Sequence, residues 1–172
     1  LKNFPECFNS CKFLIHEKST FLKKQQHKNL KLENVIWEDD IKKFDSCPTI
    51  FLANEFFDAL PIKQFFKKNK GWVERFVNLK EIDHAKFEEQ FVDIKKIEKE
   101  LNFEISKDQE IIEYSPSSFK YLKDICKIIK NNNGGLLIID YGYFNSKMNE
   151  TLQAIKNHKY SNVLEDIGQS DI

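Results

Sequence analysis

Only five glycines occur in 172 residues: Gly71, Gly134, Gly135, Gly142 and Gly168. Their spacing makes neither GxGxxG nor a P-loop, so these residues hold no glycine-rich phosphate cradle. No apolar run approaches the roughly 20 residues that cross a bilayer. The opening LKNFPECFNSCKFLIHE lacks the basic start, apolar stretch and small-residue cleavage site of a secretory signal. The cytoplasm or an organelle matrix is therefore the expected compartment. Methionine is almost missing: Met148 is the only one and the chain opens on Leu1, so the sequence reads as a fragment, a processed form or a partial reading frame. Arginine is almost missing too. Of 27 basic residues only Arg75 is arginine, a coding bias towards lysine.

Net charge is also absent. Lys plus Arg is 27 and Asp plus Glu is 27, which argues against a broad electrostatic grip on nucleic acid or anionic lipid. Four cysteines occur, and Cys7 and Cys11 lie too far apart for CxxC, so reduced, buried or half-buried thiols are expected. His16, His27, His84 and His158 are dispersed without HxH or HExxH, and no metal is expected.

What is present is a 41% hydrophobic, 31% charged chain of about one domain's length. Four short runs are apolar at nearly every position: CKFLIH (11–16), NVIW (34–37), TIFLA (49–53) and LLII (136–139). Such runs read as strands of a parallel sheet buried on both faces. Ser19 is a candidate N-cap for a helix through Leu22 to His27, and Ser115-Pro116 opens a helix that NNNGG (131–135) stops. Between the third and fourth runs, IKQFF and WVERFV alternate around a turn ending in Gly71, which predicts a β-hairpin over Ile62 to Val77. KFEEQFVDI (86–94) fits a helix or a third antiparallel strand, and EIIEY (110–114) another strand. The expected fold is α/β, a mostly parallel Rossmann-like sheet with an inserted hairpin, forming one domain over residues 1–172.

Ligands of open α/β sheets bind beyond the carboxyl ends of the strands. All four runs end in acids there: Glu17, then Glu38-Asp39-Asp40, then Glu55, then Asp140. Chain order alone predicts them along one rim. Each acid could instead cap the next helix or turn. An acid after the second strand of a nucleotide-binding half accepts hydrogen bonds from ribose hydroxyls, which gives Glu17 a specific use. That pattern suits a nicotinamide dehydrogenase and a methyltransferase equally.

The segment FLANEFFDALPIKQF (51–65), with GWVERFV (71–77), EYSP (113–116), LLIIDYGY (136–143) and the stretch from Thr151 to Ile172, closely resembles the MidA family of S-adenosylmethionine-dependent methyltransferases. Its mitochondrial relatives are complex I assembly factors that methylate a protein arginine. The resemblance implies a class I methyltransferase fold truncated at both ends, with the first strand, its glycine loop and the last strands outside these residues. It implies S-adenosyl-L-methionine as cofactor and a protein substrate of the respiratory complex I subunit kind, with no nucleic acid and no membrane insertion. Glu17 takes the ribose position, and Asp40, or Asp39 beside it, the adenine position. Asn54, Glu55 and Asp58 face methyl donor and substrate, and Asp140, Tyr141 and Gly142 form the neighbouring wall. Glu55 and Asp58 are the candidates to pair with a guanidinium. Phe56 and Phe57 read as core anchors or as a wall against water. The rival functions are a nicotinamide-dependent oxidoreductase and a non-catalytic assembly or interaction factor that keeps the fold. A nucleic-acid methyltransferase would need Asp/Asn-Pro-Pro-aromatic where Asn54 is followed by Glu-Phe-Phe.

Overall fold

The structure is a computed structural model and describes residues 3–31, 34–44, 47–79, 85–144, 147–165 and 168–171. His84 lies outside the described residues. The chain divides into two compact units, Leu1–Leu52 with Tyr121–Leu137, and Ala53–Lys120 with Ile138–Ile172.

The first unit starts with α1 (Pro5–Ser10), β1 (Phe13–Ile15), α2 (Thr20–Asn29) and β2 (Val35–Trp37). Ser19 caps α2, its hydroxyl accepting from Leu22 N at 3.2 Å. β1 and β2 pair in parallel, Phe13 opposite Val35 and Ile15 opposite Trp37. A 3-10 turn (Ile41–Phe44) follows. Ile41 and Phe44 pack with Ile125 and Ile128 of α4 (Pro116–Asn132), and Phe51, Tyr121, Ile129 and Leu136 close that cluster. Isoleucines three apart on the helix put one stripe against the turn, as a 3.6-residue period requires.

β3 (Thr49–Asn54) pairs with β8 (Gly134–Ile139). Thr49 N donates to Asn133 O at 3.3 Å and Glu55 N to Ile139 O at 2.8 Å. Both numbers rise together, so the strands are parallel. Among the described residues the β1–β2 and β3–β8 ladders are separate pairs. The expectation of strands buried on both faces is corrected here: Ile50 is 76% and Leu52 74% exposed, with Leu14, Ile36, Leu137 and Ile139 also open. Their apolar side chains stand on strand faces that are open to different degrees, most of all at Ile50 and Leu52.

The second unit contains a four-stranded antiparallel sheet of order β6–β5–β4–β7, built from β4 (Lys63–Lys68), β5 (Gly71–Leu79), β6 (Ala85–Val92) and β7 (Ile111–Tyr114). β4 and β5 form a hairpin in which Phe66 faces Val73 and Gln64 faces Arg75. The undecided segment resolves into both forms: residues 85–92 are strand, and Asp93 then caps α3 (Ile94–Leu101), accepting from Lys95 N at 3.1 Å. Ile97 of α3 covers Phe65, Trp72, Ile112 and Tyr114. Phe65 is wholly buried and its ring stacks on Tyr114 at 5.8 Å. A last hairpin joins β9 (Ala154–Lys156) to β10 (Lys159–Ser161) through Asn157 and His158, both at positive φ, as a two-residue hairpin turn demands. The sheet content is thus mixed, and the antiparallel part is the larger.

Candidate functional site

Two groups of predicted residues fall in different units. In the first unit, Glu17 follows β1 and is half-buried. Its Oε1 accepts from Ser19 N at 2.7 Å and its Oε2 from Gln26 Nε2 at 3.3 Å. A carboxylate offers about four acceptor positions, so each oxygen keeps one for a further donor. Two vicinal hydroxyls fit that remainder.

His16, beside it, reads in the sequence only as a dispersed histidine. Its ring joins Glu38 O through Nδ1 and the Tyr121 hydroxyl through Nε2, each at 3.0 Å. The carbonyl can only accept, so Nδ1 carries a proton there. This fastens the ends of β1 and β2 to α4. Glu38 N also donates to Ile15 O at 3.0 Å.

The Glu38-Asp39-Asp40 group is engaged locally. Glu38 accepts from the amides of Asp39 and Asp40 at 2.9 and 3.3 Å and from Lys43 Nζ. Lys43 first, then the Asp40 amide, holds its carboxyl below the usual range. Asp39 is held low by its ion pair with Lys23. Asp40 caps the 3-10 turn, accepting from Lys42 N at 3.0 Å. Both adenine candidates therefore already hold local partners.

In the second unit, Asn54, Glu55, Asp58 and Asp140 come from the end of β3, the loop after it and the end of β8. Asp140 Oδ2 accepts from the amides of Phe57 at 3.1 Å and Asp58 at 3.3 Å, while Oδ1 accepts from Tyr141 N at 2.9 Å. One carboxylate thus moulds the loop that carries the other acids. Glu55 is exposed and sits at φ 47°, a left-handed conformation uncommon for a non-glycine residue. It is held there because its own N–H still bonds β8. Burial first and the charge of Asp140 second push the Asp58 carboxyl above the ordinary aspartate range, with Glu55 adding to the rise. Among the described residues no lysine, arginine or histidine ion-pairs with Glu55, Asp58 or Asp140. Phe56 and Phe57 meet edge to face at 5.2 Å and are half-buried, so neither is a fully enclosed anchor. Tyr141 and Gly142 are exposed next to Asp140.

The cysteine expectation is corrected at three positions, Cys7, Cys47 and Cys126, which are exposed; Cys11 is half-buried as expected, with the Cys7 and Cys11 Sγ atoms 3.9 Å apart. The described residues form no cluster of three or more metal-ligating side chains, and no described helix is long and apolar enough to cross a membrane.

Comparison with known proteins gives the family and the fold. The profile of a family described as putative S-adenosyl-L-methionine-dependent methyltransferases matches residues 1–172. A mitochondrial protein arginine methyltransferase NDUFAF7 homolog of Caenorhabditis elegans is 32% identical over 141 residues, covering 81% of this chain and 33% of that protein. Its Danio rerio counterpart is 30% identical over 140 residues, covering 80% and 32%. The chain thus spans about a third of the length of the curated relatives it matches. A crystal structure of a Burkholderia thailandensis protein bound to S-adenosyl-homocysteine superposes with a TM-score of 0.71 at 18% identity, covering 93% of this chain and 44% of that one. That likeness establishes the fold.

Proposed function

The chain belongs to the MidA-type family of S-adenosyl-L-methionine-dependent methyltransferases, and from that premise we propose that it contributes to an enzyme methylating a protein arginine. The relatives named protein arginine methyltransferases support the substrate class, and the family resemblance points to a respiratory complex I subunit as target. The relatives named mitochondrial support the matrix as the compartment of a eukaryotic version.

One observation carries the reading: three carboxylates, Glu55, Asp58 and Asp140, gathered without a basic partner among the described residues and raising the proton affinity of one of them. Such a group is unfavourable alone and complementary to a cation. A guanidinium is a cation, planar, and takes carboxylates in bidentate pairs. Glu55 and Asp58 would fix its plane and draw positive charge away from the attacking nitrogen. Asp140 holds the loop through the amides of Phe57 and Asp58. Asn54 and the Tyr141–Gly142 backbone border the acceptor.

Glu17 fits the cofactor's ribose, because both carboxylate oxygens retain acceptor capacity for the two hydroxyls. Asp39 or Asp40 would take the adenine amino group. When bound, S-adenosyl-L-methionine supplies an electrophilic methyl on its sulfonium. The protein's own contribution is alignment of the acceptor, an effect that can supply about 7–11 kcal/mol.

The test is Glu55→Gln in the intact protein, with methyl incorporation into an arginine-containing protein substrate and S-adenosyl-homocysteine affinity measured side by side. Methylation falls by at least about a hundredfold while affinity stays within about twofold. Parallel loss of both would assign Glu55 to the cofactor or to the fold.

A further inference from the structure

Glutamine 26 sits on α2, nine residues beyond Glu17, and is half-buried. Its Oε1 accepts the indole N–H of Trp37 at 2.7 Å, and its Nε2 donates to Glu17 Oε2 at 3.3 Å. The two neighbours make opposite demands. An indole can only donate and a carboxylate can only accept. A single side chain joining them must offer one acceptor and one donor at the same tip, which a primary amide does. The order of the atoms follows: the amide oxygen faces Trp37 and the amide nitrogen faces the carboxylate.

The anchor itself is fixed. Trp37 ends β2, in register with Ile15 of β1, and its ring lies 3.7 Å from the ring of His27 with a 30° tilt. The amide therefore cannot turn over without putting two donors together at the indole and two acceptors together at Glu17. Glu17's second oxygen is held by Ser19 N. The carboxylate plane is thus set from both sides before any ligand arrives.

We propose that Gln26 is a positioning residue for the ribose-binding carboxylate, through the relay Trp37 to Gln26 to Glu17. The inference rests on the assignment of Glu17 to the cofactor's ribose. Gln26 does not touch the cofactor. It fixes Glu17 so that its remaining acceptor positions meet a vicinal diol, and selectivity for a ribose over a deoxysugar depends on it.

The probes are S-adenosyl-homocysteine and its 2′,3′-dideoxy analogue, measured by calorimetry on the intact protein. Gln26→Leu keeps the side chain's bulk and removes both hydrogen bonds. It weakens S-adenosyl-homocysteine about fivefold and leaves the dideoxy analogue unchanged. Trp37→Phe keeps an aromatic ring but removes the N–H, and shifts selectivity the same way by a smaller factor. The double variant is no worse than Gln26→Leu alone, because both act through one relay. Equal loss for the two probes would make Gln26 merely structural, and no loss for either would end the proposal. Glu17→Ala separates this from the parent assignment. If it leaves diol selectivity intact, the ribose assignment falls. If it abolishes selectivity while Gln26→Leu does not, only the relay falls.

Discussion

Gly134 opens β8 at φ +136°, where a Cβ would lie 2.8 Å from the carbonyl carbon and 2.9 Å from the nitrogen of Thr49, and closer still to its carbonyl oxygen. These are backbone atoms of β3 and cannot swing aside. Gly134→Ala therefore incurs two costs. The positive φ is worth about 1–3 kcal/mol of strain in an L residue. Relieving the clash means moving the start of β8 off β3, which gives up the bond from Thr49 N to Asn133 O, worth about 1 kcal/mol. The total is about 2–4 kcal/mol, a large fraction of a typical domain's 5–15. With a urea slope of about 2 kcal/mol per molar, the unfolding midpoint falls by about 1–2 M. Gly135→Ala is the matched control, since a Cβ there meets nothing within 4 Å, and it should stay within about 0.5 kcal/mol of the parent. Equal midpoints for the two variants would refute the steric argument and with it the tight β3–β8 approach.

Asp140→Asn removes a charge that raises the Asp58 carboxyl. Asp58 then titrates lower, closer to an ordinary aspartate, in a carboxyl-resolved NMR titration; an unmoved value would mean that the Asp140 charge contributes nothing to the rise. In the parent the native state holds the Asp58 proton more tightly than the unfolded chain does. That contribution to stability is present at acid pH and disappears as pH rises through the native pKa. Cys7→Ala removes the hydrogen bond that, ahead of burial and charge, raises the Cys11 thiol. Alkylation of Cys11 by iodoacetamide at pH 8 accelerates, read by peptide mass mapping, and an unchanged rate would mean the two sulfurs do not interact in solution.

The elements that could be read in advance are those with local causes. Ser19 caps α2 and Pro116 opens α4 because cap chemistry needs only the next three or four residues. The Gly71 turn and the strands around it follow from alternation. Burial was misread where it depends on distant partners: Ile50 and Leu52 look like core in sequence and are open in the structure. The acids divide the same way. The loop contacts of Asp140 join residues 83 and 82 positions apart, and no spacing rule forecasts them. Gln26 gave no signal either, since its meaning comes from an indole eleven residues away and a carboxylate nine residues away. Only the proximity of His16 to Glu17 in the chain hinted at its part in fastening the strand ends.

The left-handed backbone of Glu55 sets durability against chemistry at a single position. Glycine would rest there with less tension, so a Glu55→Gly chain should melt later than its parent while losing the carboxylate proposed to meet a cation. On the role proposed for Glu55, a search for heat-resistant variants would be drawn to this site and would select proteins that lack this carboxylate.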